Sequence, residues 1–417
     1  MSKTTFTSLG VCLYWACLSH SWAADDLDAL ALADHTAQTS EQARPWQLFI
    51  EGMSGLVNYR NTQEDIYPQR ISIDLGFDYQ INPAWRAVLA NRLDLNWQSG
   101  QDEQINTLKE AYLSWQAQPE LIIDLGRVNQ RNGMAYGYNP TDYFKVGAVR
   151  SLVSIEPSSL RENRLGSGML RGQYLWDGGA ISALYSPKLG DRRNTAAFDL
   201  DWGASNPSSR WQLALSQQWF NGFTPQFLLF GEEGQAPQIG ANISFLVGDA
   251  LTMHGEYSGG QARSLLDQAL QNPSEAQFYS RLAAGGTYTF PIDLSLTLEY
   301  QYNQAAANHQ QWQVLASQPQ KYWAYRQYVF HLQDNPTQHN LFMLANWNNA
   351  LWRRFDLSAM LRHDLVDHSG QYWLEARYRF SQADIALQWQ YQQGNAGSQF
   401  GALPQKSSVQ ALLKYYF

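Results

Sequence analysis

The sequence predicts an all-β protein: a closed, antiparallel transmembrane β-barrel of about eighteen strands, with sixteen as the alternative count. Three observations carry that prediction. Apolar and polar residues alternate with period two over stretches of about ten residues, the length at which a tilted strand crosses a bilayer. The apolar rows often finish in Trp or Tyr, as at Trp97, Trp115, Trp202, Trp347 and Tyr415, and amphipathic rings suit the two membrane interfaces. The connections between stretches alternate between tight turns and long loops, which is the asymmetry of a barrel with both termini on one side.

Composition narrows the class further. Only 16% of the 417 residues are charged, against about 25% in a soluble domain. Hydrophobic residues are an ordinary 44% and aromatics reach 14%, while the mean hydropathy is −0.42. No run of about 20 apolar residues follows the first twenty positions, which excludes a helical membrane protein. The formal charge of −8 excludes a basic nucleic-acid binder, and the aromatic load excludes a disordered chain.

Taken in order, residues 1–23 read as a secretory leader. Lys3 supplies its positive start, Leu9 to Leu18 its apolar stretch, and Ser21 and Ala23 the small residues before a cut. A short buried helix opening a soluble domain is the alternative. Cys12 and Cys17 both lie in this segment, so the mature chain needs no disulfide framework. Tyr14 and Trp15 argue against a lipid anchor at Cys17. Residues 24–45 form an acidic, Ala-rich stretch expected to be a flexible periplasmic extension. Leu27, Leu30 and Leu32 would share one face of a short helix there, which suits docking of a periplasmic partner; an inert leader is the other reading.

The barrel itself is assigned to residues 46–417. Strands are expected near 46–60, 69–81, 84–98, 104–117, 119–127, 164–176, 178–187, 195–204 and 209–219. The second half gives 237–247, 250–259, 278–290, 293–304, 337–348, 352–365, 370–380, 383–393 and 408–417. The clearest rows are Ile71, Ile73, Leu75, Phe77 and Tyr79, then Leu294, Leu296 and Leu298, and later Ile385, Leu387 and Trp389. Tight turns fall at Asn82-Pro83, Asp177-Gly178, Gly248-Asp249, Pro291-Ile292, Asn349-Ala350 and Ser381-Gln382. The long loops are 128–163, 220–236, 260–277 and 305–336. Closure is required because an open edge in lipid would leave its backbone groups unsatisfied.

Several residues carry a family resemblance. The last row, Val409, Ala411, Leu413, Tyr415 and Phe417, resembles the C-terminal signal read by the outer-membrane assembly machinery. Leu125-Gly126-Arg127, then Asn139-Pro140-Thr141-Asp142, then Leu160-Arg161-Glu162-Asn163 resemble the GR…NP(T)D stretch of several channel-like proteins. The chain as a whole resembles the Gram-negative outer-membrane channels, with porins and alginate-export-type eighteen-strand barrels nearest. The resemblance implies an outer-membrane protein, surrounded by lipid, that passes hydrophilic solutes passively or exports a polysaccharide. The alternative is a closed barrel acting as surface receptor, adhesin or assembly scaffold.

Candidate site residues follow from the alternation. The inner face is expected to carry Arg70, Arg86, Arg92, Asp94, Arg281, Glu299, Arg354, Arg362, Arg377 and Arg379, interleaved with further acids such as Asp74, Asp199, Asp201 and Glu256. Opposed charged walls would orient an anion or zwitterion; neighbouring pairs would merely keep the lumen polar. Asn139, Pro140, Asp142, Tyr143 and Phe144 lie in the 128–163 loop, long enough to be functional. It either folds inward and narrows the pore or caps the rim. In the 305–336 loop, Trp312, Trp323 and Tyr325 at helical spacing offer rings that could stack on a glycan, or pack against the rim. The expected cargo is a small hydrophilic solute or a glycan. No residue pattern calls for a cofactor or a metal. Arg362-His363-Asp364 and Asp367-His368-Ser369 lack a placed nucleophile, so no enzyme is expected.

Overall fold

The structure, a computed structural model, describes residues 44–60, 65–98 and 101–417. The expected leader and residues 24–43 of the acidic extension lie outside the described residues. The described chain forms one eighteen-stranded antiparallel sheet closed on itself. Its strands are β1 Trp46–Tyr59, β2 Gln69–Asn82, β3 Trp85–Gln98, β4 Gln101–Gln118, β5 Leu121–Val128 and β6 Ser167–Trp176. Then come β7 Gly179–Ser186, β8 Arg210–Gln217, β9 Gln226–Glu232, β10 Gln238–Val247, β11 Leu251–Ala262 and β12 Gln277–Phe290. The circuit ends with β13 Leu294–Asn303, β14 His339–Trp347, β15 Phe355–Asp364, β16 Gly370–Arg379, β17 Ala383–Gln393 and β18 Gln405–Tyr416. Each strand pairs with its sequence neighbours, and β18 returns to β1 with Leu413 opposite Gly52 and Ser408 opposite Val57.

Burial is inverted relative to a water-soluble protein. On β2, Arg70, Ser72 and Asp74 are 4%, 0% and 5% exposed, while Ile71, Ile73 and Leu75 between them stand open. The same holds on β17, where Ile385, Leu387 and Trp389 face outward and Asp384, Gln388 and Gln392 face in. Such an exterior is stable only in contact with hydrocarbon, and closure satisfies every edge. Rings gather at the turn end, with Trp85 stacked on Trp115 at 5.6 Å and Tyr415 edge-on to Phe417 at 4.9 Å.

The strand total agrees with expectation, but not strand for strand. Residues 195–204 form no strand. Their apparent alternation belongs to a loop built by short polar side chains: Asp199 accepts from the Asp201 N–H (2.6 Å) and Asp201 from the Asn194 N–H (2.8 Å). β7 pairs directly with β8, leaving no edge for another strand. Asp199 and Asp201 are therefore loop residues and not part of the inner wall. Conversely, the expected 220–236 loop contains β9, and the long connection is instead 187–209. Period two fails in β9 because Leu228 and Phe230 on the inner face are as apolar as Phe227 and Leu229 outside.

Among the described residues five helices sit in the loops: α1 Pro157–Glu162, α2 Trp202–Ser205, α3 Leu265–Leu270, α4 His309–Ala316 and α5 Pro319–Leu332. The 305–336 loop thus holds two helices. Asn308 and Gln311 close a reciprocal cap at the start of α4, and Pro319 opens α5. Trp202, expected at the end of a strand, lies in α2 against the outside of the wall, with the Arg127 guanidinium 4.1 Å from its ring centre. Gly168 makes room for it, since a Cβ there would meet Trp202 and Leu189 at 2.9 Å. Gly168→Ala is expected to destabilise the barrel by about 1–3 kcal/mol, read as a lower temperature of heat-induced mobility shift in a detergent gel.

Candidate functional site

The 129–166 connection between β5 and β6 turns inward and crosses the lumen. Two carboxylates on the facing wall receive it. Glu256 on β11 accepts from the Ala135 N–H (2.5 Å), the Asn139 side-chain amide (3.1 Å) and the Thr141 hydroxyl (3.0 Å). Glu299 on β13 accepts from the Tyr136 and Tyr138 N–H groups at 2.8 and 3.1 Å, and from the Gln301 amide at 2.7 Å. Both acids are almost wholly buried, so ionised carboxylates need such a set of donors. Gly133, at φ +90°, allows the close approach: a Cβ would fall 2.4 Å from a Glu256 oxygen.

The rest of the loop is fixed along the same path. Tyr143 stacks on Phe230 with ring centres 4.5 Å apart and bonds the Ser258 hydroxyl at 3.1 Å, while Phe144 meets Phe230 edge-on. This explains the apolar inner face of β9. Asp142 receives both Arg164 nitrogens, at 2.7 and 3.2 Å, and Arg164 also holds the Gln130 carbonyl and the Asn129 side chain. Lys145 donates to the Asn139 carbonyl at 2.9 Å, and burial pulls its ammonium below the ordinary lysine range. Further along, Val153 and Ile155 offer carbonyls to Arg70 on β2 (3.2 Å) and Arg362 on β15 (3.3 Å). The loop therefore touches walls on several sides of the barrel. Pro140 sits in the turn between its two anchors on Glu256.

The other candidate lumen residues divide. Arg92 lies among Asp94 (2.9 Å), Glu51 (3.1 Å) and Asp74 (3.6 Å), and Arg70 pairs with Glu51 at 2.8 Å. Arg377 bonds Glu375 at 2.8 Å, and Arg281 approaches Asp334 at 3.5 Å. Arg86 and Arg379 stand at the turn end of the inner face, each against an acid, Asp78 and Asp356. These arginines pair with close neighbours, and the charges do not divide into opposed walls. Arg354 is displaced from the expected position. It lies in the exposed β14–β15 turn at φ +71°, because the strand begins only at Phe355. Trp312 and Tyr325 are 3% and 0% exposed, packed with Leu265, Leu315 and Val329 under the helical cap. They cannot stack on a solute, whereas Trp323 is open.

Gln301, Arg164 and His254 of β11, whose ring nitrogen lies 3.4 Å from a Glu299 oxygen, have no counterpart among the expected site residues. Arg164 was hidden at the expected edge of a strand, and nothing local marks Gln301 as a loop anchor. Among the described residues no group of His, Cys, Asp and Glu is arranged to hold a metal.

No family model matches the sequence, and no curated protein does. Solved barrels do match. OccAB1 of Acinetobacter baumannii aligns with TM-score 0.56 and 9% identity over 89% of this chain and 96% of that one. Pseudomonas aeruginosa OccK5 (OpdH) gives 0.54 and 8%, over 89% and 98%; OpdQ of the same organism gives 0.54 and 9%, over 90% and 99%. The fold is that of these solved Gram-negative barrels. At these identities the likeness speaks for the fold, and nothing in it singles out the alginate-export type. A closed barrel of this size, apolar outside and polar within, resides in the outer membrane.

Proposed function

We propose that the protein is a passive channel for small hydrophilic solutes, with the 129–166 loop setting its bore. The observation that carries this reading is the attachment of that loop to Glu256 and Glu299 across a polar lumen. Eighteen strands enclose more space than side chains alone fill, so a loop fixed inside the lumen acts as a constriction. Movement down a gradient needs a wet path and no catalytic group. A polysaccharide threading the lumen would have to displace the anchored loop, which supports small solutes over polymer export.

Single-channel recording in planar bilayers tests the proposal. A steady ohmic step is expected. The cavity on the long-loop side is lined by Lys145, Arg161, Arg164, Arg193, Arg326 and Arg362, against Asp142 and Asp334. A KCl gradient should therefore give a reversal potential on the anion-selective side. Silence under all voltages would favour the closed receptor or scaffold instead, and cation selectivity would remove this cavity from the conducting path.

A further inference from the structure

The same cavity, about 940 Å³, has an unusual chemical lining. Its wall on β16, β17 and β18 is rich in amides: Gln371 lies opposite Gln392, Gln388 lies opposite Gln410, and Gln390 sits between them, with Ser408 on one side and the buried Trp373 ring on the other. Gln392 is only 4% exposed, yet its side-chain oxygen has no hydrogen-bond partner, and neither has that of Gln399. A buried amide oxygen left unpaired is costly. The patch has bonding capacity that the protein does not use. Leu152, Leu160 and the widely exposed Phe330 ring of α5 line the same cavity.

The cations nearby are differently placed. Arg161 donates to the Asn132 and Gly133 carbonyls, Arg362 to the Ile155 carbonyl, and Arg326 to the Tyr322 hydroxyl and the Ser398 carbonyl. Most of their donors hold loops in place, the Arg362 Nε being left over, and the free acceptors are the Gln392 and Gln399 amide oxygens. Each glutamine offers one acceptor and two donors, which matches adjacent hydroxyls that both give and accept. The apolar side chains match the C–H faces of a sugar ring, and the volume suits a ligand of a few rings.

We propose that this amide patch is a subsite for a neutral saccharide. The proposal deepens the channel reading and rests on it. The test records single-channel current with maltotriose added to the long-loop side. Maltotriose should close the channel transiently, in proportion to its concentration. The effect should persist in about 1 M KCl, where charge attraction is screened. Gln390→Leu with Gln392→Leu, and separately Phe330→Ala, should weaken this block about tenfold relative to each variant's own open current. Phe330 is a surface residue of a loop helix, so its variant reads the subsite even if the paired one misfolds. Two results would overturn the proposal: a conducting channel blind to maltotriose, or one blocked only by trigalacturonate and only at low salt. Should bilayers stay silent, calorimetric titration of maltotriose into the detergent-solubilised barrel reads the subsite by itself. Heat of binding would keep the subsite while removing the channel, and no heat would remove the subsite.

Discussion

Replacing Glu256 and Glu299 together by Gln is expected to raise the single-channel conductance severalfold and to make it flicker. The two carboxylates receive four backbone N–H groups, two side-chain amides and one hydroxyl within hydrogen-bond reach, and the His254 ring nitrogen lies 3.4 Å from a Glu299 oxygen. A glutamine keeps one acceptor oxygen and turns an NH2 group toward a donor. Each substitution therefore loses bonds and creates an opposed pair of donors in a buried setting, at about 1–3 kcal/mol per unsatisfied group. The summed loss is comparable with what holds a docked loop in place. The freed segment should also become sensitive to protease added from the long-loop side. An unchanged conductance with an intact, folded barrel would mean that Tyr143 and Arg164 suffice to seat the loop, or that it does not set the bore.

Arg92→Leu should have the largest effect on stability. Its guanidinium is 3% exposed and serves three acids, Glu51, Asp74 and Asp94. Removing one partner from a buried ion cluster leaves uncompensated charge, a change of about 3–5 kcal/mol. Lys109 still reaches Asp74 at 2.7 Å and Arg70 still reaches Glu51, but Asp94 keeps only the Ser72 hydroxyl among its bonded partners. The folded barrel should convert to its heat-denatured gel form at a clearly lower temperature. The reversal potential should also move toward cations, since one positive charge is lost beside Glu51, Asp74 and Asp94. Arg92→Lys should recover much of both losses.

The barrel was legible in the sequence because lipid enforces period two on every strand that has a wet inner face. It was illegible where a second demand overrode that rule. β9 lost its alternation because Leu228 and Phe230 serve Tyr143 and Phe144 of the inserted loop. Residues 195–204 acquired a false alternation, because Asp199 and Asp201 are spaced to accept the Asp201 and Asn194 N–H groups in a loop, with the Asn194 side-chain amide donating to the Asp199 carboxylate. The two errors offset each other in the strand count. Asn139-Pro140-Thr141-Asp142 was readable as turn chemistry, but its anchor was not. Asn139 meets Glu256 across 117 residues of chain, and no local pattern records such a pairing. The aromatic spacing of 305–336 correctly indicated helix, yet spacing alone does not say which rings turn inward. Trp312 and Tyr325 became core, while Phe330 stayed open to the cavity.

Residues 24–417 contain no cysteine, which makes a direct test of the water path clean. Gln410 and Ala411 are adjacent on β18, one facing the lumen and the other the lipid. Gln410→Cys and Ala411→Cys are each recorded in a bilayer while a charged, membrane-impermeant thiol reagent is added. Current through Gln410→Cys should fall stepwise, and current through Ala411→Cys should not change. Equal reactivity at both positions, or reaction at Ala411→Cys alone, would contradict a water-filled lumen inside a lipid-facing wall.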